Sequence, residues 1–376
     1  MNAINPLSIR ENFETITDPR VERTKLHKLG DILTIAICAV ICGADEWVEI
    51  ELFGKSKKDW LSGFLELPYG IPSHDTFGRV FAMIEPDDFR ACFLNWVKTL
   101  FEELPAQVVP IDGKTLRRSH DKSSGKSAIH MVSAWASSSG IVLGQVKTAE
   151  KSNEITAIPE LLKHLELKGC TVTIDAMGCQ KEIASQIVKK EADYALALKG
   201  NQAGLHSDVK LFFDDARESG FKGIPHSFHE NVDGGHGRVE IRRCWAVDEI
   251  DWLCGKEKWE KLKTIAMIES ERHIDDKISK ETRFYISSHG ADALKIADVV
   301  RSHWAIENSL HWILDVSFQE DSSRIRKGNA SENFAVIRHM ALNLLKSENS
   351  CKLGIKAKRR KAGWNTDYLA KVLAAA

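Results

Sequence analysis

Apolar positions recur at helical intervals through residues 1–100, which are therefore expected to form a helical N-terminal domain. Leu26 to Cys42 is one apolar stretch, and Trp47, Ile50, Phe53 and Trp60 follow at roughly helical spacing. Leu67-Pro68-Tyr69-Gly70-Ile71-Pro72 breaks the pattern. Ser73 then stands where an N-cap belongs, ahead of a helix over 74–84. Two helices around a Gly/Pro turn are either a DNA-reading unit or a plain packing unit.

From Gln107 the texture changes. Val108 to Asp112 is a short apolar run that ends in an acid, and 128–136 and 141–147 are β-rich runs around Ser137-Ser138-Ser139-Gly140, a hairpin signal. Residues 155–165 read as a helix that tolerates Pro159 in its first turns, 171–176 as a buried strand, 181–189 as a helix and 194–198 as a strand. Three strands, helix, strand, helix, strand is the order of a ribonuclease-H-like mixed sheet flanked by helices, an α/β class. Alternating segments at 239–247, 264–268 and 283–286 then form a β-rich insertion, and 293–316 and 332–346 are strong helices. The expected division is 1–100 helical, 105–220 the first part of an α/β domain, 221–290 the insertion, 291–347 the completing helices and 348–376 a basic segment.

Composition narrows the class. With 43% hydrophobic and 28% charged residues over 376, the chain has the make-up of a soluble globular protein. Its longest apolar run, Ile32 to Cys42, is too short to span a bilayer and has no signal-peptide flanks, so a cytoplasmic protein with no membrane partner is expected. The eight cysteines form no CxxC pair and read as buried reduced thiols. A net charge of −1 does not announce a nucleic-acid binder, but charge is uneven. Lys352, Lys356, Lys358, Arg359, Arg360 and Lys361 form one basic knot, and Arg324, Arg326 and Lys327 another. Each is either a phosphate-gripping patch or a solvated helix face.

Two acids end or sit within predicted neighbouring strands: Asp112 in Ile111-Asp112-Gly113-Lys114 and Asp175 in Ile174-Asp175-Ala176-Met177-Gly178. A carboxylate there is costly to desolvate without a positive partner, and a divalent cation supplies one. Either acid alone reads as a turn cap; together, in this strand order, they favour a metal site. His303, Glu307, His311 and Asp315 are spaced by four and are expected to share a helical face, which is either solvated or the wall of a polar site. Lys199 and Asn201 follow a strand where a site would open and suit phosphate or base contact, or a plain turn. Gly234-Gly235-His236-Gly237-Arg238 is a phosphate-cradling turn or a hairpin turn.

These runs resemble, nearly end to end, the H-repeat-associated DDE insertion-sequence transposases. Asp18-Pro19-Arg20, Lys28-Leu29-Gly30-Asp31-Ile32-Leu33 and Gly70-Ile71-Pro72-Ser73-His74-Asp75-Thr76-Phe77 resemble that family's associated helical domain. Ile111-Asp112-Gly113-Lys114-Thr115-Leu116-Arg117, Glu150-Lys151-Ser152-Asn153-Glu154-Ile155-Thr156, Lys199-Gly200-Asn201-Gln202, His236-Gly237-Arg238 and the segment from His303 to Asp315 carry the catalytic half. The resemblance implies that Asp112, Asp175 and Glu307 are a catalytic triad holding two Mg²⁺ (or Mn²⁺) ions. Asp112 would bridge both, for hydrolysis and then strand transfer. It implies double-stranded DNA as partner, both element ends and target, a homodimer on that DNA, and Lys114, Lys199, Asn201, His236, Arg238, Arg301 and His303 as DNA contacts. The wider pattern's Tyr, Arg and Lys around the glutamate are replaced here by Val300, His303 and Leu314. The alternatives are a nuclease of the same fold that does not join, and an inactive DNA-binding relic.

Overall fold

The computed structural model of the protein describes residues 11, 13–100, 106–120, 125, 127–148, 153–235, 237–275 and 277–375. The N-terminal part is helical, with α1 (Leu29–Ile41), α2 (Trp47–Ser56), α3 (His74–Met83) and α4 (Pro86–Leu100). α1 is apolar nearly all round and buried on nearly all sides, as such a helix must be. Ser73 caps α3 by accepting the Thr76 N–H, the role its position predicts.

Next come β1 (Val108–Thr115), β2 (His130–Ala136), β3 (Ile141–Lys147), α5 (Glu154–His164), β4 (Thr171–Ile174), α6 (Lys181–Lys189) and β5 (Asp193–Leu198). After α7 (Ala203–Glu218), for which no element was expected, come β6 (Ser227–Gly235), β7 (Arg238–Val247), β8 (Thr264–Ile274) and β9 (Lys277–Ser287). The chain closes with α8 (Ala293–His303), α9 (Trp312–Phe318), α10 (Ala330–Ser347), α11 (Ile355–Trp364) and α12 (Thr366–Leu373).

All these strands join one mixed nine-stranded sheet in the order β3-β2-β1-β4-β5-β9-β8-β7-β6. β1, β4 and β5 are parallel; every other neighbouring pair is antiparallel. The β-rich region therefore continues the main sheet, because β9 pairs with β5, and it does not form a sheet of its own.

α10 holds the halves together. It is almost wholly buried and packs on α1, α3, α4 and β3. The Asn343 side chain accepts the Val142 N–H and donates to the Val142 carbonyl, both at 2.9 Å, while Asn333 donates to the Phe81 and Ile84 carbonyls at α3's end. Such pairing removes the cost of burying both amides.

The basic C-terminal knot is corrected in part. Lys358 is buried and donates to the Leu345 carbonyl at 2.7 Å; Arg359 is buried and donates to the Val40 carbonyl and the Asp45 carboxylate, both at 2.8 Å. These two cations fasten α11 to α10 and α1, and neither faces solvent. Lys352, Lys356 and Arg360 are exposed. No described helix is long and apolar enough to cross a membrane.

Candidate active site

β1 and β4 run parallel, with Ile111 opposite Ile174, so Asp112 and Asp175 each follow the last paired residue of adjacent strands. The two acids thus stand side by side where β4 ends and β1 runs on to Thr115 paired with β2 alone. Asp175 is fixed by its own turn: its Oδ1 accepts the N–H of Met177 at 3.0 Å and of Gly178 at 3.3 Å. Gly178 is needed because a Cβ there would press on Ile174 and come within 2.9 Å of the Ile158 side chain. Asn201 clamps this loop by donating to the Ala176 carbonyl at 2.6 Å, and Gln202 donates to Cys179 at 3.0 Å. Gly113 is equally constrained, since a Cβ would collide with the Glu154 carboxylate.

The third acid comes from the segment after α8. The polar stripe of four-residue spacing does not lie on one regular helix. The chain turns at Trp304, and Glu307–His311 form a π-helical turn before α9. Such turns hold one residue more than an α-turn and are frequent at functional sites. The stripe is shared out accordingly. His303 reaches the Thr173 hydroxyl through Nδ1 at 3.1 Å. Glu307 and His311 stand over Asp112: His311 Nδ1 is 3.5 Å from Glu307 Oε2 and 3.6 Å from Asp112 Oδ2. Asp315 instead ion-pairs with Lys114.

Ligand atoms of Asp112, Glu307 and His311 all lie within 4.8 Å of one another. Asp175 and Glu307 line, with Asp112, a cavity of about 310 Å³ between the sheet and α8. Burial, and next the charge of Glu307, push the Asp112 carboxyl up to about 7; Glu154 and Asp175 add to the repulsion. Among the described residues neither Asp112 nor Glu307 forms an ion pair with Lys or Arg. Burial pushes His303 and His311 below the usual imidazole range, so both rings are neutral at pH 7. Clustered carboxylates without a cation, beside neutral imidazoles, are a donor set that fits a divalent ion.

Two family descriptions match the chain: "DDE_Tnp_1-associated" over residues 10–97 and "Transposase DDE domain" over residues 103–344. The chain belongs to the DDE transposase family. It is 46% identical over 371 residues to "Putative transposase YncI" of Escherichia coli O157:H7, covering 98% of this chain and 94% of that one. It is 44% identical over 374 residues to "H repeat-associated putative transposase YhhI" of Escherichia coli (strain K12), covering 97% of each. A solved piggyBac transposase synaptic complex with hairpin DNA aligns at 12% identity and TM-score 0.49, over 98% of this chain and 81% of that one.

The expected DNA contacts of this transposase are scattered. Lys199 is exposed on the cavity wall, whereas Asn201 spends its amide on the Asp175 loop. His236 lies outside the described residues. Arg238 is exposed at the tip of the β6–β7 hairpin. Arg301 donates to Asp233 on β6 at 2.7 Å. Lys114 is mostly buried between Asp315, Glu320 at 2.8 Å and Asp321, so a phosphate would have to compete with carboxylates for it. His303, neutral and turned to Thr173, offers no charge to a phosphate.

Sequence reasoning left three features unassigned. His311 was in the stripe but carried no role. Glu154 accepts a 2.7 Å hydrogen bond from His130 Nε2 beside Gly113; in the sequence it appeared only within the 150–156 run of the resemblance, with no role of its own. Strand register also places Arg238, Glu240 and Arg242 on the face that carries Arg283, Tyr285 and, across β5 and β4, the acid cavity. Glu240 is buried there, 2.6 Å from Arg242 and 3.2 Å from Arg272. Seeing that fan requires knowing which strands pair.

Proposed function

We propose that this transposase cuts and joins DNA at insertion-sequence ends, with Asp112, Asp175 and Glu307 as the carboxylates of a two-metal site. The observation that carries this reading is the convergence of Asp112 and Glu307, whose ligand atoms lie with that of His311 within 4.8 Å of one another, with no Lys or Arg paired to either acid among the described residues. The strand order β3-β2-β1-β4-β5 with parallel β1, β4 and β5 supports a ribonuclease-H-like reading of that part of the sheet. We divide the chain as the sequence suggests, with the β6–β9 region as the insertion. When bound, a pair of Mg²⁺ or Mn²⁺ ions would supply the charge that activates water, then a 3′-hydroxyl, and that steadies the leaving oxygen.

The residues of the chain do the rest. Asp112 would hold the ions together with Glu307 beside it and Asp175 on the wall of the same cavity. Asp175, with Oδ1 held by two backbone N–H groups, keeps its other oxygen for the site. Asn201 and Gln202 hold that loop in place. Lys199 and, farther along the same sheet face, Arg238 and Arg242 offer positive charge to a DNA backbone, since the acid cavity repels phosphate until cations fill it. Double-stranded DNA is the partner, and a homodimer would bring two ends together.

The test is a pre-cut and an uncut end duplex, each incubated with protein and Mg²⁺ or Mn²⁺. Nicking of the uncut duplex and strand transfer of the pre-cut one are expected, both lost in Asp112→Asn while end binding persists. Nicking without transfer would leave a nuclease, and binding without either would leave an inactive relic.

A further inference from the structure

We infer that His311 is a nitrogen ligand of the divalent ion held by Asp112 and Glu307, so that this site takes Mn²⁺ in preference to Mg²⁺. The inference rests on the two-metal reading above and adds to it a donor that a purely carboxylate site lacks.

The geometry argues from what His311 does not do. Its side chain is 7% exposed, and its Nδ1 points between two carboxylates, 3.5 Å from Glu307 and 3.6 Å from Asp112. Both separations exceed a normal hydrogen bond, whose N···O distance is about 2.7–3.2 Å. On the other side of the ring, Nε2 is buried and has no hydrogen-bond partner. A buried imidazole is ordinarily fixed by at least one such bond. If Nδ1 carries no proton, three lone-pair donors face one another across a gap and repel. If it carries one, the proton sits too far from either oxygen to bond well. A cation in the gap satisfies all three donors. Metal–ligand bonds of about 2.0–2.2 Å place neighbouring donor atoms roughly 3 Å apart and opposite ones roughly 4 Å apart, a range that contains both observed separations.

Two further observations agree. The π-turn Glu307–His311 begins and ends on the two residues concerned. Asp175 is not among the residues whose ligand atoms lie within 4.8 Å of one another, which leaves a place beside Glu307 for another donor. Mg²⁺ is a hard ion that takes oxygen donors, whereas Mn²⁺, though also at home among carboxylates, opens the transition series whose ions gain from a nitrogen donor.

The test is electron spin-echo envelope modulation on the full-length protein loaded with Mn²⁺ in the absence of DNA. A directly coordinated imidazole nitrogen is expected in the wild type and absent in His311→Gln. Mn²⁺ affinity in that variant, by calorimetry, should fall on the order of 10-fold while Mg²⁺ affinity changes less. Because the spectrum of the unaltered protein is itself decisive, poor folding of the variant would not rescue the idea. Mn²⁺ that binds only when Asp112 is intact, yet shows no coupled nitrogen, overturns this inference and leaves the two-metal reading standing. Nitrogen coupling that survives in His311→Gln belongs to another ring and overturns it too. If Asp112→Asn leaves Mn²⁺ binding unchanged, the two-metal reading itself falls, and this inference with it.

Discussion

Two acidic clusters lie along one short stretch of chain, and they are opposites. Glu307, with Asp112 across from it, has no Lys or Arg partner among the described residues, and the Asp112 carboxyl is held up to about 7. One helical stretch later, Asp315 and Glu320 close around Lys114, and Glu320 also lies 3.7 Å from the buried Arg338. Burial opposes the charge of Glu320, but Lys114 and Arg338 outweigh it, and its pKa falls below the usual carboxylate range. The burial penalty is similar in kind; the compensation differs. Where the protein supplies its own cation, the acids are structural. Where none is supplied, the acids have the character of a site built for a cation, which is the reading proposed above.

The hardest test of this contrast is Asp112→Asn, which should lower DNA nicking and strand transfer by about 1000-fold or more, as loss of a central catalytic group does. A gel assay on end duplexes reads this, and a variant that still nicks would place Asp112 among the structural acids. Next in size is Glu320→Ala. It strands Arg338 and leaves Lys114 one carboxylate short, and urea unfolding should show a loss of about 3–5 kcal/mol. Glu307→Ala, at an exposed and unpaired acid, should cost under about 1 kcal/mol in the same measurement. Equal losses would erase the distinction.

A smaller effect sharpens the comparison through pH. The Asp112 carboxyl titrates near 3.8 when unconstrained and about 7 in the fold, so the fold favours its protonated form. That contribution is fully present below about 3.8, declines as pH rises, and is lost above about 7, a few kcal/mol in all. Metal-free protein should therefore melt at progressively lower temperature from pH 5 to 8. Divalent metal should restore the loss, and Asp112→Asn should flatten the slope. A slope unchanged in that variant would assign the titration elsewhere. Least in energy is Arg238→Ala, far from both clusters. It should leave melting and its pH slope untouched but reduce the salt dependence of end binding by about one counterion. An unchanged salt slope would make the β6–β7 tip an ordinary turn.

What was legible in the sequence was whatever local chemistry dictates. Ser73 declared its cap, the Ser/Gly run its hairpin, and Asp112 and Asp175 the strands that prove to be parallel neighbours, although β1 runs on past Asp112 to Thr115. The division of the acids into paired and unpaired was not legible, because Lys114 meets Asp315 and Glu320 only after some 200 residues of intervening chain. The C-terminal basic knot misled for the same reason. Arg359 looks like its exposed neighbour Arg360 until α1 is placed against it, 319 positions away in sequence. The joining of the β-rich region to the main sheet was equally hidden, since alternation announces a strand but not its partner.

The π-turn between Glu307 and His311 also sets a phase. Each residue added to or removed from a helix rotates everything beyond it by about 100°. Because a π-turn holds one residue more than an α-turn over nearly the same rotation, it takes up such a surplus locally: Glu307 stands above Asp112 and Asp315, beyond the turn, still meets Lys114. The Glu307 carboxylate and the ionic lock behind it are thus kept in step across a single surplus residue.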